Sequence, residues 1–149
     1  MRKITKSIIA ALLCTFLSAF DAKTQPGLSL TVQVENLQNT KGHVQFAVYN
    51  KEGSIPDEEY ENYYKIATAE IKDHSAKVIF MNLPNGTYAV NILHDEDKDG
   101  KIDKGWILPK EGIGFSNFTQ IGLSNRPNFK KASFELNEDK TISVEVIYM

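Results

Sequence analysis

The sequence predicts an all-β fold, a single antiparallel β-sandwich of about seven strands. Three observations carry that expectation. Apolar and polar residues alternate with period two over most of the chain, and turn signals separate the alternating runs. Helical and strand patterns do not take turns as they would around a parallel sheet. The 149 residues suit one domain, and neither an internal repeat nor a low-complexity tract divides them.

Residues 1–22 read as a segment apart. Arg2, Lys3 and Lys6 precede "SIIAALLCTFLSAF", an apolar run from Ser7 to Phe20. This is the layout of a secretory signal peptide, and the run is too short for a comfortable membrane span. Cleavage is expected between residues 19 and 25, which leaves a domain over 23–149. The expected destination is the periplasm, the outer-membrane surface or the medium. The one cysteine, Cys14, falls inside this leader, and Leu13 before it is not the small residue that a lipid-anchoring site wants. A mature chain without a thiol has no disulfide framework, no thiolate nucleophile and no cysteine metal site. Its apolar core must hold it, with or without a metal. Removing residues 1–22 leaves 14 basic and 18 acidic side chains, a net charge of −4. That disfavours nucleic acid as a partner, because phosphate contacts need a basic face. No second apolar run is long enough to span a membrane.

The strands follow in order. In "LSLTVQVENL", Leu28, Leu30, Val32 and Val34 share one face, and in "HVQFAVYN" Val44, Phe46 and Val48 do; "QNTKG" is the turn between them. "ATAEIKD" and "AKVIFMNL" read as two further strands. Pro84–Gly86 is a turn signal for a tight hairpin into "TYAVNILH", since Asn-Gly readily takes positive φ. "KASFELNEDKTISVEVIYM" reads as a last hairpin around residues 137–140. One stretch departs from the pattern. In "IPDEEYENYYKI", Pro56 followed by Asp57, Glu58 and Glu59 is a helix-start signal, so a short helix or turn is expected near 57–65. A helix there would set Tyr60, Tyr63 and Tyr64 in one stripe, either covering the core or stacking on a ligand.

The chemistry concentrates in "HDEDKDGKID", His94 to Asp103, where five of ten residues are acidic. Two carboxylates 4 Å apart repel by about 1 kcal/mol in water and roughly 4 kcal/mol at the effective dielectric of a protein surface. Asp95, Asp97 and Asp99 alternate so that their side chains can converge on one cation. Gly100 permits a sharp turn, the Lys101 carbonyl can point inward, and Asp103 closes the far side. Ile102 is an apolar tether to the core. A hard cation such as Ca²⁺ takes oxygen ligands of this type. A full EF-hand is excluded, because Trp106 stands at the twelfth position in place of a bidentate Glu and no helix pattern flanks the loop. The better comparison is a nine-residue calcium loop carried on strands, with Glu111 as a candidate accessory ligand and an expected affinity of about 10⁻⁴–10⁻³ M. The competing reading is a solvated acidic turn neutralised by Lys98, Lys101 and Lys104.

Other signals are thin. His43, His74 and His94 lie in separate segments, and imidazole is a poor Ca²⁺ ligand. No nucleophile elbow, phosphate loop or zinc pair is present. Ser116 in "GFSN" has no base visible in the sequence. "NGT" at Asn85 and "NFT" at Asn117 are formal glycosylation sequons.

Four motifs occur in order: "GHVQFAVYN", "NLPNGTYAV", the acidic "HDE" loop, and "PKEGIGFSN". In these the chain resembles the exported bacterial proteins of domain-of-unknown-function family 2141. The resemblance implies a prealbumin-like β-sandwich and implies no activity. Asp97 and Asp99 stand where family members often carry Asn, which strengthens the metal reading. Glu111, Ser116 and Asn117 match the family's segment, for which a structural role over the acidic loop is the expectation. Together these readings predict an exported, non-enzymatic module with a Ca²⁺-stabilised loop that binds a protein or glycan partner at the cell envelope. The first alternative is a carbohydrate-binding module in which Trp106, with Tyr60, Tyr63 or Tyr64, stacks on sugar. The second is a hydrolase using acidic pairs near Glu111.

Overall fold

The computed structural model describes residues 27–102 and 111–149. The leader with Cys14 lies outside the described residues, as do Asp103 and Trp106. Among the described residues the fold is almost entirely β, with eight strands in two facing sheets. They are β1 (Leu28–Val34), β2 (His43–Tyr49), β3 (Lys65–Ala69), β4 (Ala76–Leu83), β5 (Gly86–Asp95), β6 (Gly112–Phe115), β7 (Phe134–Leu136) and β8 (Lys140–Ser143). One short helix, α1 (Phe129–Ala132), precedes β7; the Asn128 side chain caps it by accepting from the Lys131 amide. No helix among the described residues is long and apolar enough to cross a membrane.

The smaller sheet has the order β4-β1-β8 and the larger β3-β2-β5-β6, with β7 paired to the first residues of β5. The alternation in β1 and β2 does what period two requires: Leu30, Val32 and Val34 meet Val44, Phe46 and Val48 in the core between the sheets, all fully buried. Tyr88, Val90 and Ile92 of β5 join them.

A second core lies on the far side of the larger sheet. Ala47 and Tyr49 of β2, Ala89 and Leu93 of β5, and Ile113 and Phe115 of β6 are covered there by Ile55, Tyr60, Phe118, Phe129 and Ala132. Strand β5 is consequently buried on both faces from Tyr88 to Asp95. The near-continuous apolar run "YAVNIL" reflects this, as expected for a strand covered on both sides.

The topology corrects the local readings in two places. Both expected hairpins are crossings between sheets. β4 lies in the smaller sheet and β5 in the larger, and the left-handed residue near that junction is Asn82 (φ 57) rather than Asn85 or Gly86. Likewise β7 pairs with β5 while β8 runs parallel to β1, so residues 137–139 join different sheets. Turn chemistry marks where a chain reverses; whether the next strand pairs with the last is decided by which core its apolar face must reach. Residues 57–65 form a turn, not a helix, and Lys65 already belongs to β3. The tyrosines therefore share no helical stripe: Tyr60 is buried, while Tyr63 and Tyr64 are exposed.

The two-sided burial of β5 makes it the most sensitive strand. Ile92→Ala, which empties a fully buried position between the sheets, is expected to destabilise by about 2–5 kcal/mol. Ile79→Ser on the solvent face of β4, where Ile79 is 55% exposed, should change stability by no more than about 0.5 kcal/mol. Urea unfolding midpoints of the two variants check this contrast.

Candidate metal centre

Asp95 closes strand β5 on its outer face, in period-two register with Ala89, Asn91 and Leu93. Its side chain is fully buried. A buried carboxylate needs donors on its lone pairs, and the following loop supplies them. Asp95 Oδ1 accepts from the amides of Lys98 (2.7 Å) and Asp99 (3.2 Å), and Oδ2 from the amide of Gly100 (3.0 Å). His43 is the cross-strand partner of Asp95, and that register puts its Nε2 3.1 Å from Oδ2. To wrap its amides around one carboxylate the loop turns left-handed at Lys98 (φ 67) and Gly100 (φ 78). Gly100 tolerates that conformation without the Cβ penalty that Lys98 carries.

The outer carboxylates repeat the pattern on a smaller scale. Asp97 Oδ1 accepts from the Asp99 amide (3.1 Å) and Asp99 Oδ1 from the Lys101 amide (2.8 Å). The result brings one oxygen from each of Asp95, Asp97 and Asp99 within 4.8 Å of one another, with Asp95 buried and the other two exposed. The concentration of charge is thus offset by backbone amides, while the loop's lysines reach outward, Lys101 Nζ to 2.8 Å from Glu59 and Lys98 Nζ to 3.9 Å from Glu70.

Four neighbours hold the loop in place. The Gln45 side chain donates to the Gly100 carbonyl (3.2 Å). Ile102 packs against the outer core, and its amide donates to the Glu58 carbonyl (3.4 Å). Glu111 is buried and folds back to accept the Glu96 amide at Oε1 (2.8 Å). Gly42 approaches the Asp95 carbonyl so closely that any Cβ there would overlap it.

Of the sequence-predicted ligands, then, Asp95, Asp97 and Asp99 come together, and Glu111 reaches the start of the loop. The Lys101 amide bonds to Asp99 and its ammonium to Glu59, while Asp103 lies outside the described residues. His94 faces the other core, fully buried, with Nδ1 2.6 Å from the Tyr148 hydroxyl and Nε2 3.0 Å from the Lys41 carbonyl. The Ser116 hydroxyl donates to the Ala132 carbonyl (2.6 Å) and accepts from the Val90 amide (2.9 Å). Asn117 Nδ2 donates to the carbonyls of Ala132 and Ser133 (3.2 and 2.9 Å). Ser116 and Asn117 therefore fasten β5 and β6 to α1. Of the candidate stacking residues, Tyr63 and Tyr64 are exposed, Tyr64 lies 6.1 Å from Tyr88 ring to ring, Tyr60 is buried, and Trp106 lies outside the described residues.

Sequence reasoning missed the polar cluster beneath residues 54–62. Asp57, expected among the acids at a helix start, is buried and organises a turn. It accepts from the Tyr49 hydroxyl (3.1 Å), the amides of Glu61 (3.1 Å) and Asn62 (2.8 Å), and the Asn62 side chain (3.2 Å). Tyr60 is held at φ 51, a left-handed conformation that bulky residues rarely adopt. Burial raises both the Tyr49 and the Tyr60 phenol far above the ordinary tyrosine range, with the Asp57 carboxylate adding to the shift at each. The only sequence signal for the cluster was Asn91, a polar residue inside the apolar run of β5.

The profile of one protein family, described as "Uncharacterized protein conserved in bacteria (DUF2141)", matches residues 32–144. No curated protein and no solved structure matches the chain.

The buried phenols give stability a defined pH dependence. In the unfolded chain tyrosine ionises near pH 10, while Tyr49 and Tyr60 hold their protons to higher pH in the fold. Their contribution is fully present below about pH 10 and is lost as pH rises above it, because only the unfolded state then releases those protons. Unfolding midpoints measured from neutral to strongly alkaline pH should fall above pH about 10, and Tyr60→Phe should make that fall shallower. Equal slopes in both proteins would show that Tyr60 ionises freely in the fold.

Proposed function

The chain belongs to the DUF2141 family, and we propose that it is an exported, non-enzymatic β-sandwich module whose Asp95–Asp99 loop is stabilised by Ca²⁺ and presents a binding surface to a partner at the cell envelope. The observation that carries this reading is the convergence of three carboxylate oxygens within 4.8 Å. Ligands on opposite sides of a Ca²⁺ ion with bonds of 2.3–2.6 Å stand about 5 Å apart. One ion therefore fits among Asp95, Asp97 and Asp99 without large movement. Glu111, at the Glu96 amide, is near enough in the fold to serve as an accessory ligand. The Asp95 oxygens already receive three backbone amides, so an ion must share them, and weak binding follows. Recognition by such a loop is in keeping with scaffolds that carry function on loops. A Ser116 nucleophile is disfavoured, because its hydroxyl is engaged by backbone groups at both Val90 and Ala132.

A second reading, carbohydrate binding, is favoured by one observation. Tyr63 and Tyr64, 42% and 40% exposed, are adjacent in the segment that Lys101 grips through Glu59. A glycan array on the wild type and Tyr63→Ala separates the two: sugar binding lost in the variant supports this reading, and its absence leaves a protein partner.

The cation reading separates the three aspartates by role. At about 5 mM Ca²⁺ and a Kd near 0.5 mM the fold should gain about 1.4 kcal/mol, seen as a rise of several degrees in Tm that EDTA reverses. Asp97→Asn and Asp99→Asn should leave the metal-free Tm nearly unchanged and abolish the rise. Asp95→Asn should lower Tm without any metal, because it weakens a buried acceptor that gathers three backbone amides. Titration calorimetry with Ca²⁺ that shows no heat, together with a Tm indifferent to Ca²⁺ and EDTA, would sink the reading and leave a self-capped acidic turn.

A further inference from the structure

From Gly112 to Phe134 the chain carries no acidic side chain and three basic ones, Arg126, Lys130 and Lys131, although the whole sequence has a net charge of −2. A run of one sign in a chain of the other is a local electrostatic feature, not a property of the composition. All three cations are exposed, and none enters an ion pair among the described residues. The segment also holds the most exposed large hydrophobic side chain among the described residues: Leu123 is 88% exposed, against 61% for Met81. A lone aliphatic side chain on a surface is ordinary in itself; the setting of this one is not. Ile121 packs against the outer core. The chain then reverses through Gly122–Asn125, where the Asn125 amide donates to the Gly122 carbonyl (3.0 Å). The Asn125 side chain braces the turn twice more: Nδ2 donates to the Gln120 carbonyl (2.8 Å), and Oδ1 accepts from Lys131 Nζ (3.4 Å). Leu123 therefore stands at the tip of a braced turn, at a position where turns favour glycine or a small polar residue. Two cations stand at its base, Arg126 by sequence and Lys131 by contact.

Shape and charge together select the partner. A protein would have to supply a pocket matched to one projecting leucine. A bilayer takes up a projecting aliphatic chain without a matched shape, and anionic headgroups attract cations held at their depth. The net negative charge of the chain opposes approach to an anionic surface, so contact falls to the acid-free segment. We propose that the Gly122–Asn125 turn is a peripheral membrane contact, which inserts Leu123 into the acyl boundary of an anionic phospholipid bilayer while Arg126 and Lys131 engage headgroup phosphates. The contact is reversible, because one aliphatic side chain and a few cations do not make a stable anchor. It shares no residue with the Asp loop or with Tyr63 and Tyr64, and it does not depend on Ca²⁺.

Vesicle sedimentation tests it on the chain from residue 23, which contains every described element and lacks the apolar run at 7–20. The vesicles are phosphatidylcholine, alone or mixed with phosphatidylglycerol, at low salt and in EDTA, which keeps the result separate from that of the cation reading. The chain should pellet with the anionic vesicles and stay in solution with the neutral ones. Arg126→Gln and Lys131→Gln should each lower the partition coefficient about fivefold, and Leu123→Ser should lower it about tenfold or more. All three variants should keep the wild-type Tm, because the side chains they alter are exposed. Lys77→Gln and Ile79→Ser, at exposed positions on β4, should pellet as the wild type does. A wild type that stays in solution with anionic vesicles overturns the proposal. So does a Leu123→Ser that pellets undiminished, or a loss that Lys77→Gln and Ile79→Ser reproduce. Retention on an immobilised acidic peptide without vesicle binding would also overturn it and assign the patch to an acidic protein.

Discussion

A carboxylate buried at the end of a central strand governs the architecture of this protein. Asp95 emerges from a strand covered on both faces, where solvent cannot stabilise its charge. Leaving such a group unmet is among the most expensive faults a fold can contain. The next five residues resolve it by folding three of their amides onto the two oxygens, and His43 completes the set from the neighbouring strand. The loop takes its shape from that requirement. Lys98 and Gly100 turn left-handed to bring the amides round, Gln45 fixes the Gly100 carbonyl, and Gly42 makes way for the Asp95 carbonyl.

The same strand ties the loop to a second polar centre. Asn91 and Asp95 lie four residues apart on one face of β5, and residues 54–62 cover that face by folding around Asp57. Asp57 solves for its own segment the problem that Asp95 solves for the acidic loop: one buried carboxylate gathers the amides of the residues after it. The two solutions meet where the Ile102 amide donates to the Glu58 carbonyl and Lys101 pairs with Glu59. The exposed ion pair adds little stability by itself, since such pairs are worth about 0–1 kcal/mol. Its position does connect the acidic loop to the segment that bears Tyr63 and Tyr64.

Much of this was legible in the sequence, and what was not has a physical cause. Period-two alternation identified β1 and β2, because one apolar face per strand is a local property of the chain. The convergence of Asp95, Asp97 and Asp99 was legible for the same reason, being built from residues within one turn. Partners were not legible. Whether β4 pairs with β5 or crosses to the other sheet depends on a core assembled from distant strands, and a Pro-Asn-Gly turn looks the same in either case. The helix-start signal at Pro56–Glu59 was real in its chemistry, since Asp57 does accept the amides of Glu61 and Asn62. The Tyr49 hydroxyl and the outer core claim the same carboxylate and the same tyrosine, and the segment closes as a turn. Asn91 alone hinted at the outer polar centre, yet only burial separates such a residue from a solvated one.

The occupied oxygens of Asp95 also bear on where a cation at this loop would matter. A ligand that must share its lone pairs with amides gives up part of its attraction for the ion, and the other two carboxylates are exposed to competing water. If the proposed Ca²⁺ binds there, both effects would keep its affinity in the weak range of about 10⁻⁴–10⁻³ M, well below the affinities of cytosolic sensors. A loop of that affinity is insensitive to the low free Ca²⁺ inside a cell and responds where the ion is millimolar. Because Asp95 already holds the loop in its fold, the ion's work would be confined to the outer rim, at Asp97 and Asp99. It would adjust the charge and stiffness of an exposed surface without rebuilding the domain beneath it, which is compatible with the proposed recognition role.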